Sequence, residues 1–165
     1  MSKDAPIDLH LALPPKCRIA IVAARFNQKI VDNLLAGCQK RLLEIGMKES
    51  HITIERVPGA MELPVAAQAL ARTRRYAAII CLGCVIRGDT PHFDYVAGQS
   101  AAGIARVALD ESSPVIFGVL TTNTIQQALQ RIGPPTSKHG HAGQRAADAA
   151  VEMIAVFHRL KVNLG

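Results

Sequence analysis

Four short apolar runs, each trailed by a segment with helical periodicity, constrain this chain more than any single motif. The run Ile19-Ala20-Ile21-Val22-Ala23-Ala24 contains no polar residue, the pattern of a parallel strand covered on both faces. Beyond it Val31, Leu34, Leu35, Cys38, Leu42 and Ile45 recur at helical spacing until Gly46 supplies a stop. The run from Ile52 to Val57 carries Glu55 and Arg56, which predicts an edge strand. Leu63, Ala66, Ala67 and Leu70 mark a second helix. The apolar run from Ala77 to Leu82 predicts a central third strand, with a long helix through Phe93, Val96, Ile104 and Val107 after it. A fourth strand is predicted from Val115 to Leu120. Thr124 is placed to cap a short helix that stops at Gly133-Pro134-Pro135. A last helix runs from about Gly143 to Leu160, with Ala146, Ala150, Ile154 and Phe157 along one face.

Strands alternating with helices build an α/β protein, and right-handed crossovers favour a doubly wound order. The expected architecture is a flavodoxin-like three-layer α/β/α domain with a four-stranded parallel sheet. The 165 residues show no repeat, linker or low-complexity tract, so residues 1–165 read as one domain. Residues 1–16 read as an N-terminal arm, in which Leu9, Leu11 and Leu13 alternate with Asp8, His10 and Ala12. That arm is either a frayed tail or a strand added to a neighbouring subunit's sheet edge.

An apolar content of 49% excludes disorder, and with aromatics at only 4% the core must be built from small aliphatic side chains. No apolar stretch approaches the roughly 18 residues needed to span a bilayer, and no secretory leader is visible, so a cytoplasmic protein with reduced thiols is expected. The net charge of +6 raises the question of nucleic acid. The basic residues are scattered, however, and the densest group, Arg72, Arg74 and Arg75, falls at a helix end, where it offsets the dipole. No aromatics interleave with them for base stacking, so no nucleic-acid partner is expected. A modest positive field equally suits a phosphorylated small molecule.

Ligands of open parallel sheets bind beyond the carboxyl ends of the strands. Polar or special residues follow all four strands here: Arg25-Phe26-Asn27, Pro58 to Glu62, Gly83 to His92, and Thr121-Thr122-Asn123. In the third loop Asp89 or Thr90 is placed to cap the next helix, with Pro91 at its first position and Gly88 allowing close backbone approach. Such a helix start favours an anion. His92 on the first turn is either a proton carrier or a surface histidine beside a cap. Glu62 either accepts hydrogen bonds from a hydroxylated chain or merely favours a helix dipole. Phe26 stacks on a planar ring or plugs the core, and Asn27 is an adequate helix cap. Arg131 pairs with phosphate or eases a helix end.

Three other motifs lead nowhere. Cys81 and Cys84 form a C-x-x-C at a strand end, where residues three apart point to opposite faces, unlike a redox pair. His139 and His141 lack third and fourth ligands, so no metal is expected. No G-x-G-x-x-G or P-loop lysine is present, which disfavours dinucleotides and ATP.

Taken in order, Arg25-Phe26-Asn27, Pro58-Gly59-Ala60-Met61-Glu62-Leu63-Pro64, the block from Gly83 to Asp94, Gly118-Val119-Leu120-Thr121-Thr122-Asn123 and Ala149-Ala150-Val151-Glu152-Met153 resemble the lumazine synthase family. The agreement covers the chain from about residue 17 onward. The resemblance implies flavodoxin-like subunits assembled into pentamers with active sites shared between neighbours. It implies condensation of 5-amino-6-(D-ribitylamino)uracil with 3,4-dihydroxy-2-butanone 4-phosphate, releasing phosphate and water, without metal or organic cofactor. By the same resemblance Phe26 stacks on the pyrimidine, and Ala60, Met61 and Glu62 line the ribityl chain. Cys84, Val85 and Ile86 address the ring through their backbone, and Asp89 and Thr90 cradle phosphate. His92 carries protons, Phe117 reaches the ring from an adjacent subunit, and Arg131 binds phosphate.

The chain departs from the family pattern at several points. Cys84 stands where Thr or Ser is usual, and Met61 where a larger apolar residue is common. The turn after Arg131 is about three residues longer than the compact form, and Ala142 occupies the place of a family lysine, for which Lys138 or His139 is a substitute within reach of the sequence. Family members with longer turns tend to stop at pentamers or decamers, so the resemblance implies an assembly short of a capsid. Two other functions suit this fold: a flavin or lumazine carrier that has lost catalysis, and an electron carrier. Retention of His92, Glu62 and Arg131 together favours the enzyme over the first, and basic charge with few aromatics argues against the second.

Overall fold

The computed structural model describes residues 13–162 apart from Pro135. Four strands, β1 (Ile19–Ala24), β2 (Ile52–Val57), β3 (Ala78–Ile86) and β4 (Val115–Thr122), pair in parallel in the order β2-β1-β3-β4. Helices α1 (Gln28–Glu44), α2 (Leu63–Arg72), α3 (His92–Asp110), α4 (Ile125–Gln130) and α5 (Ala142–Arg159) connect or follow them. This is the flavodoxin-like order expected from the alternating pattern, with the charged strand β2 at the edge. The arm's Leu9 and Leu11 lie outside the described residues; Leu13 packs partly buried against the core.

Every residue of β1 is buried, so its alternate side chains build two cores. Ile19, Ile21 and Ala23 face α1 and α5, where Val31, Leu34, Ala147 and Ile154 cover them. Ala20, Val22 and Ala24 face α2 and α3, against Leu63, Ala67, Ile104 and Val107. Each large aliphatic side chain so removed from water contributes about 1.5–3 kcal/mol.

Small residues let α1 and α5 approach closely. A Cβ on Gly143 would meet backbone of α1: the Leu34 carbonyl oxygen, the Leu34 carbonyl carbon at 2.9 Å and the Cys38 nitrogen at 3.1 Å. A Cβ on Gly37 would overlap the His141 ring. Arg41 Nε donates to the buried Asp148 carboxylate at 2.7 Å and ties the same helices together.

Three features differ from expectation. Strand β3 continues through Gly83 and Cys84 to Ile86 instead of stopping at Leu82, because Gly83 is a packing glycine: an added Cβ would stand 3.2 Å from Leu63 Cδ1. Neither Asp89 nor Thr90 caps α3, and Pro91 precedes its first residue, with its carbonyl accepting from Asp94 N at 3.0 Å. Asn27 occupies the cap position of α1 but in the left-handed region (φ 56°), with no side-chain capping bond. Thr124 does cap α4, accepting from Gln127 N at 3.2 Å.

The basic group after α2 is engaged within the fold. Arg72 Nε donates to buried Glu111 at 2.9 Å, and Arg74 Nη1 to the Glu111 carbonyl at 2.8 Å, joining the ends of α2 and α3. Among the described residues no helix is long and apolar enough to cross a membrane.

Cys81 and Cys84 belong to opposite cores, so they cannot form a redox pair. All four thiols are free and buried. Burial pushes Cys17 and Cys84 up to about 11 and Cys81 up to about 12, and burial followed by the charge of Asp148 pushes Cys38 up to about 12, from an ordinary 9.0. Because the folded values are raised, the stability linked to these protonated thiols is complete below pH 9 and lost as pH rises through 11 to 12. Urea midpoints are therefore expected to be level from pH 7 to 9 for this contribution and to fall steadily by pH 11. A midpoint unchanged between pH 9 and 11 would contradict that burial.

Candidate functional site

The site is assembled where the loops after β1, β2 and β3 meet. Beyond β1, Arg25 N donates to the Val57 carbonyl at 2.8 Å and Phe26 N to the Pro58 carbonyl at 3.0 Å. These bonds lace the first two loops together and leave the Phe26 ring 71% exposed, which removes the core-plug alternative. Asn27 then turns the chain through its left-handed conformation, and its Nδ2 donates to the Cys84 carbonyl at 2.9 Å. The side chain expected to cap a helix instead pins the first loop to β3.

The second loop closes on itself. Gly59 N donates to Glu62 Oε2 at 2.8 Å, and Glu62 N donates to the Gly59 carbonyl at 3.3 Å. One carboxylate oxygen is thereby fixed, which orients the other half of Glu62 at the start of α2. Ala60 is buried beneath, while Met61 is exposed at the rim.

At the end of β3, Ile86 pairs with Thr122 and Arg87 N donates to the Thr122 carbonyl at 2.9 Å. The Arg87 guanidinium then spreads over three groups. It donates to Asn123 Oδ1 at 3.1 Å and to both Asp94 oxygens at 2.9 and 3.2 Å, and lies 4.3 Å from the Phe93 ring centroid. The hydrogen bond from Arg87 holds the Asp94 carboxyl below the ordinary carboxylate range. This fan fixes the first turn of α3, and with it His92.

These elements enclose a pocket of about 480 Å³, within the size range of small-molecule sites. Phe26, Ala60, Met61, Glu62, Cys84, Val85, Ile86, Thr90 and His92 all line it. Three predicted residues do not. Asp89 is exposed beside the pocket. Phe117 stands 43% exposed on β4. Arg131 closes α4, where its Nη1 donates to the Gln127 carbonyl at 2.7 Å.

Pro58, Gly59 and Gly88, from loops expected on the ligand side, also line the pocket, and so do Phe93 and Val96. In the sequence Phe93 and Val96 show as helix periodicity, with no feature of their own that marks a ligand. The signal that could have found Phe93 is the Arg87 to Asp94 spacing around a helix start, which brings an arginine fork over the intervening ring. Among the described residues no group of three metal-ligating side chains occurs, and His141 is buried against Gly37.

The arrangement offers a stacking ring, a carboxylate, strand backbone and an imidazole in one cleft, suited to a planar ring with a hydroxylated tail. A family model described as 6,7-dimethyl-8-ribityllumazine synthase matches residues 16–158.

Proposed function

Since the chain belongs to the 6,7-dimethyl-8-ribityllumazine synthase family, whose members are transferases of riboflavin biosynthesis, we propose that the β1–β3 pocket is where the ribitylamino-uracil meets the butanone phosphate. The observation that carries this reading is the convergence of Phe26, Glu62, the β3 backbone and His92 on one pocket. The pyrimidine stacks on Phe26 and is read by backbone groups of Cys84, Val85 and Ile86. The ribityl chain runs past Ala60 and Met61 to the Glu62 oxygen that Gly59 leaves available. The phosphate lies by Gly88, Asp89 and Thr90, where the start of α3 offers unpaired N–H groups and a favourable dipole.

The uracil amine attacks the ketone carbonyl, water leaves, phosphate is eliminated, and ring closure expels further water. Each of these steps moves a proton, and His92 is the group in the pocket placed to carry it. Holding two reactants in one cleft supplies much of the rest.

Among the described residues no arginine or lysine lines the protomer's pocket, and a phosphate dianion in such a cleft calls for one. Arg131 and Phe117 of a neighbouring copy complete the site in this reading. Phe117, Ile125 and Leu129 are exposed apolar side chains on β4 and α4 and support such a contact. We take the assembly to be pentamer-based, with the long turn after Arg131 keeping it short of a capsid, and the protein to be a single cytoplasmic domain whose 1–16 arm pairs with a neighbour.

Steady-state turnover followed by lumazine absorbance tests the site. Phe26→Ala is expected to raise KM for the uracil about threefold to tenfold, since aromatic stacking contributes about 0.5–1.5 kcal/mol. KM for the butanone phosphate should stay within about twofold. An equal rise for both substrates would remove Phe26 from the ring site.

A further inference from the structure

Arg131 and Arg145 share one corner of the molecule, and among the described residues no carboxylate pairs with either. The Arg131 carbonyl accepts from Ala142 N at 2.8 Å, and Ile132 and His141 form an isolated antiparallel bridge. Residue 131 is thus stitched to the first turn of α5, which carries Arg145. Arg145 N bonds to the His141 carbonyl at 3.1 Å, and its Nη1 turns back to donate to the His139 carbonyl. That direction is the one helical side chains favour, toward the helix N-terminus.

Among the described residues neither guanidinium pairs with a carboxylate; the ion pairs involve other arginines and a lysine. Partial desolvation, and after it the charge of Arg131, hold Arg145 below the ordinary arginine range. A cation in the first turn of a helix also opposes the macrodipole. Ala142 brings no charge of its own, and Lys138 is exposed on the turn. Two arginines beside the positive end of an 18-residue helix are therefore an arrangement that an anion would relieve.

We propose that Arg145 is a second binding residue for the phosphate of the butanone substrate, acting beside Arg131. This rests on the reading of Arg131 given above. A phosphate monoester offers three peripheral oxygens, enough for two guanidinium forks approaching from different elements. Arg131 approaches from α4 and Arg145 from α5, and the bridge between residues 132 and 141 fixes their separation.

The test uses the full chain with Arg145→Met, Arg145→Lys and Arg131→Met, and inorganic phosphate as a competing probe. Arg145→Met is expected to raise both KM for the butanone phosphate and the inhibition constant of inorganic phosphate about tenfold, the scale of one charge-assisted contact. KM for the uracil should stay within about twofold, and Arg145→Lys should recover part of the loss. If Arg131→Met raises both constants while Arg145→Met raises neither, the proposal fails and the Arg131 reading stands. If neither variant moves them, both fall. Equal losses for the two substrates, with a lowered melting temperature and no recovery in Arg145→Lys, would make Arg145 a strut for the His139 turn and overturn the proposal.

Discussion

Replacing Gly143 by alanine is expected to destabilise the protein by about 3 kcal/mol or more, the upper end of overpacking costs. The added methyl has no flexible neighbour to displace, since it would meet the Leu34 carbonyl and the Cys38 nitrogen, both inside α1. Relief requires α5 to move away from α1. That movement would open the core around Leu34, Ala147 and Ile154 and strain the Arg41–Asp148 bond of 2.7 Å. For a domain of this size about 3 kcal/mol corresponds to a fall in melting temperature of roughly 6–12 °C. Gly98→Ala in α3 is the comparison, because an added Cβ there meets nothing within 4 Å. It should be neutral or add up to about 1 kcal/mol. Denaturant midpoints of the two variants decide the matter, and equal midpoints would contradict the close helix crossing.

The second large effect is on turnover. His92→Ala is expected to lower kcat about a hundredfold, the lower end of what a positioned proton carrier contributes. The figure sits at that end because juxtaposition of the two reactants survives the substitution. KM for the uracil should change little, since Phe26 and Glu62 remain in place. The fold should not suffer either, because His92 is exposed, and among the described residues its side chain forms no hydrogen bond that packing depends on. Comparable losses in kcat and in uracil binding would indicate that His92 holds substrate. An unchanged kcat would remove it from the mechanism.

What the sequence disclosed follows from which interactions are local. β1 and α1 are legible because an unbroken apolar run and a 3.6-residue period are written within one segment. The end of β3 was not, because Gly83 reads as a loop residue until Leu63 of α2 is known to press on it. The role of Asn27 is hidden for the same reason: its partner is the Cys84 carbonyl, on another strand. Within the site, Phe26, Glu62 and His92 sit at strand or helix ends, where position alone suggests exposure toward a ligand. Arg145 is not legible in the sequence, because an arginine on a polar helix face looks solvated until the turn carrying Arg131 is placed beside it. Phe117 and Arg131 do not line the pocket in the protomer, and Asp89 stands beside it between two lining residues, Gly88 and Thr90.

The position of β1 in the sheet also has a consequence for synthesis. The first of the described strands becomes an inner one, flanked by β2 on one edge and β3 on the other. Its six residues carry no charge and no proline, the composition that pairs indiscriminately with other chains. About sixty residues separate its end from the end of β3, so at roughly 5–20 residues per second one edge stays open for about 3–12 s on the ribosome. Helix α5, which covers one of its faces, emerges later still. The nascent chain is therefore expected to depend on chaperone holding through this interval, and charged substitutions in β2 that delay the first pairing should reduce yield in cells more than they reduce the stability of the finished protein.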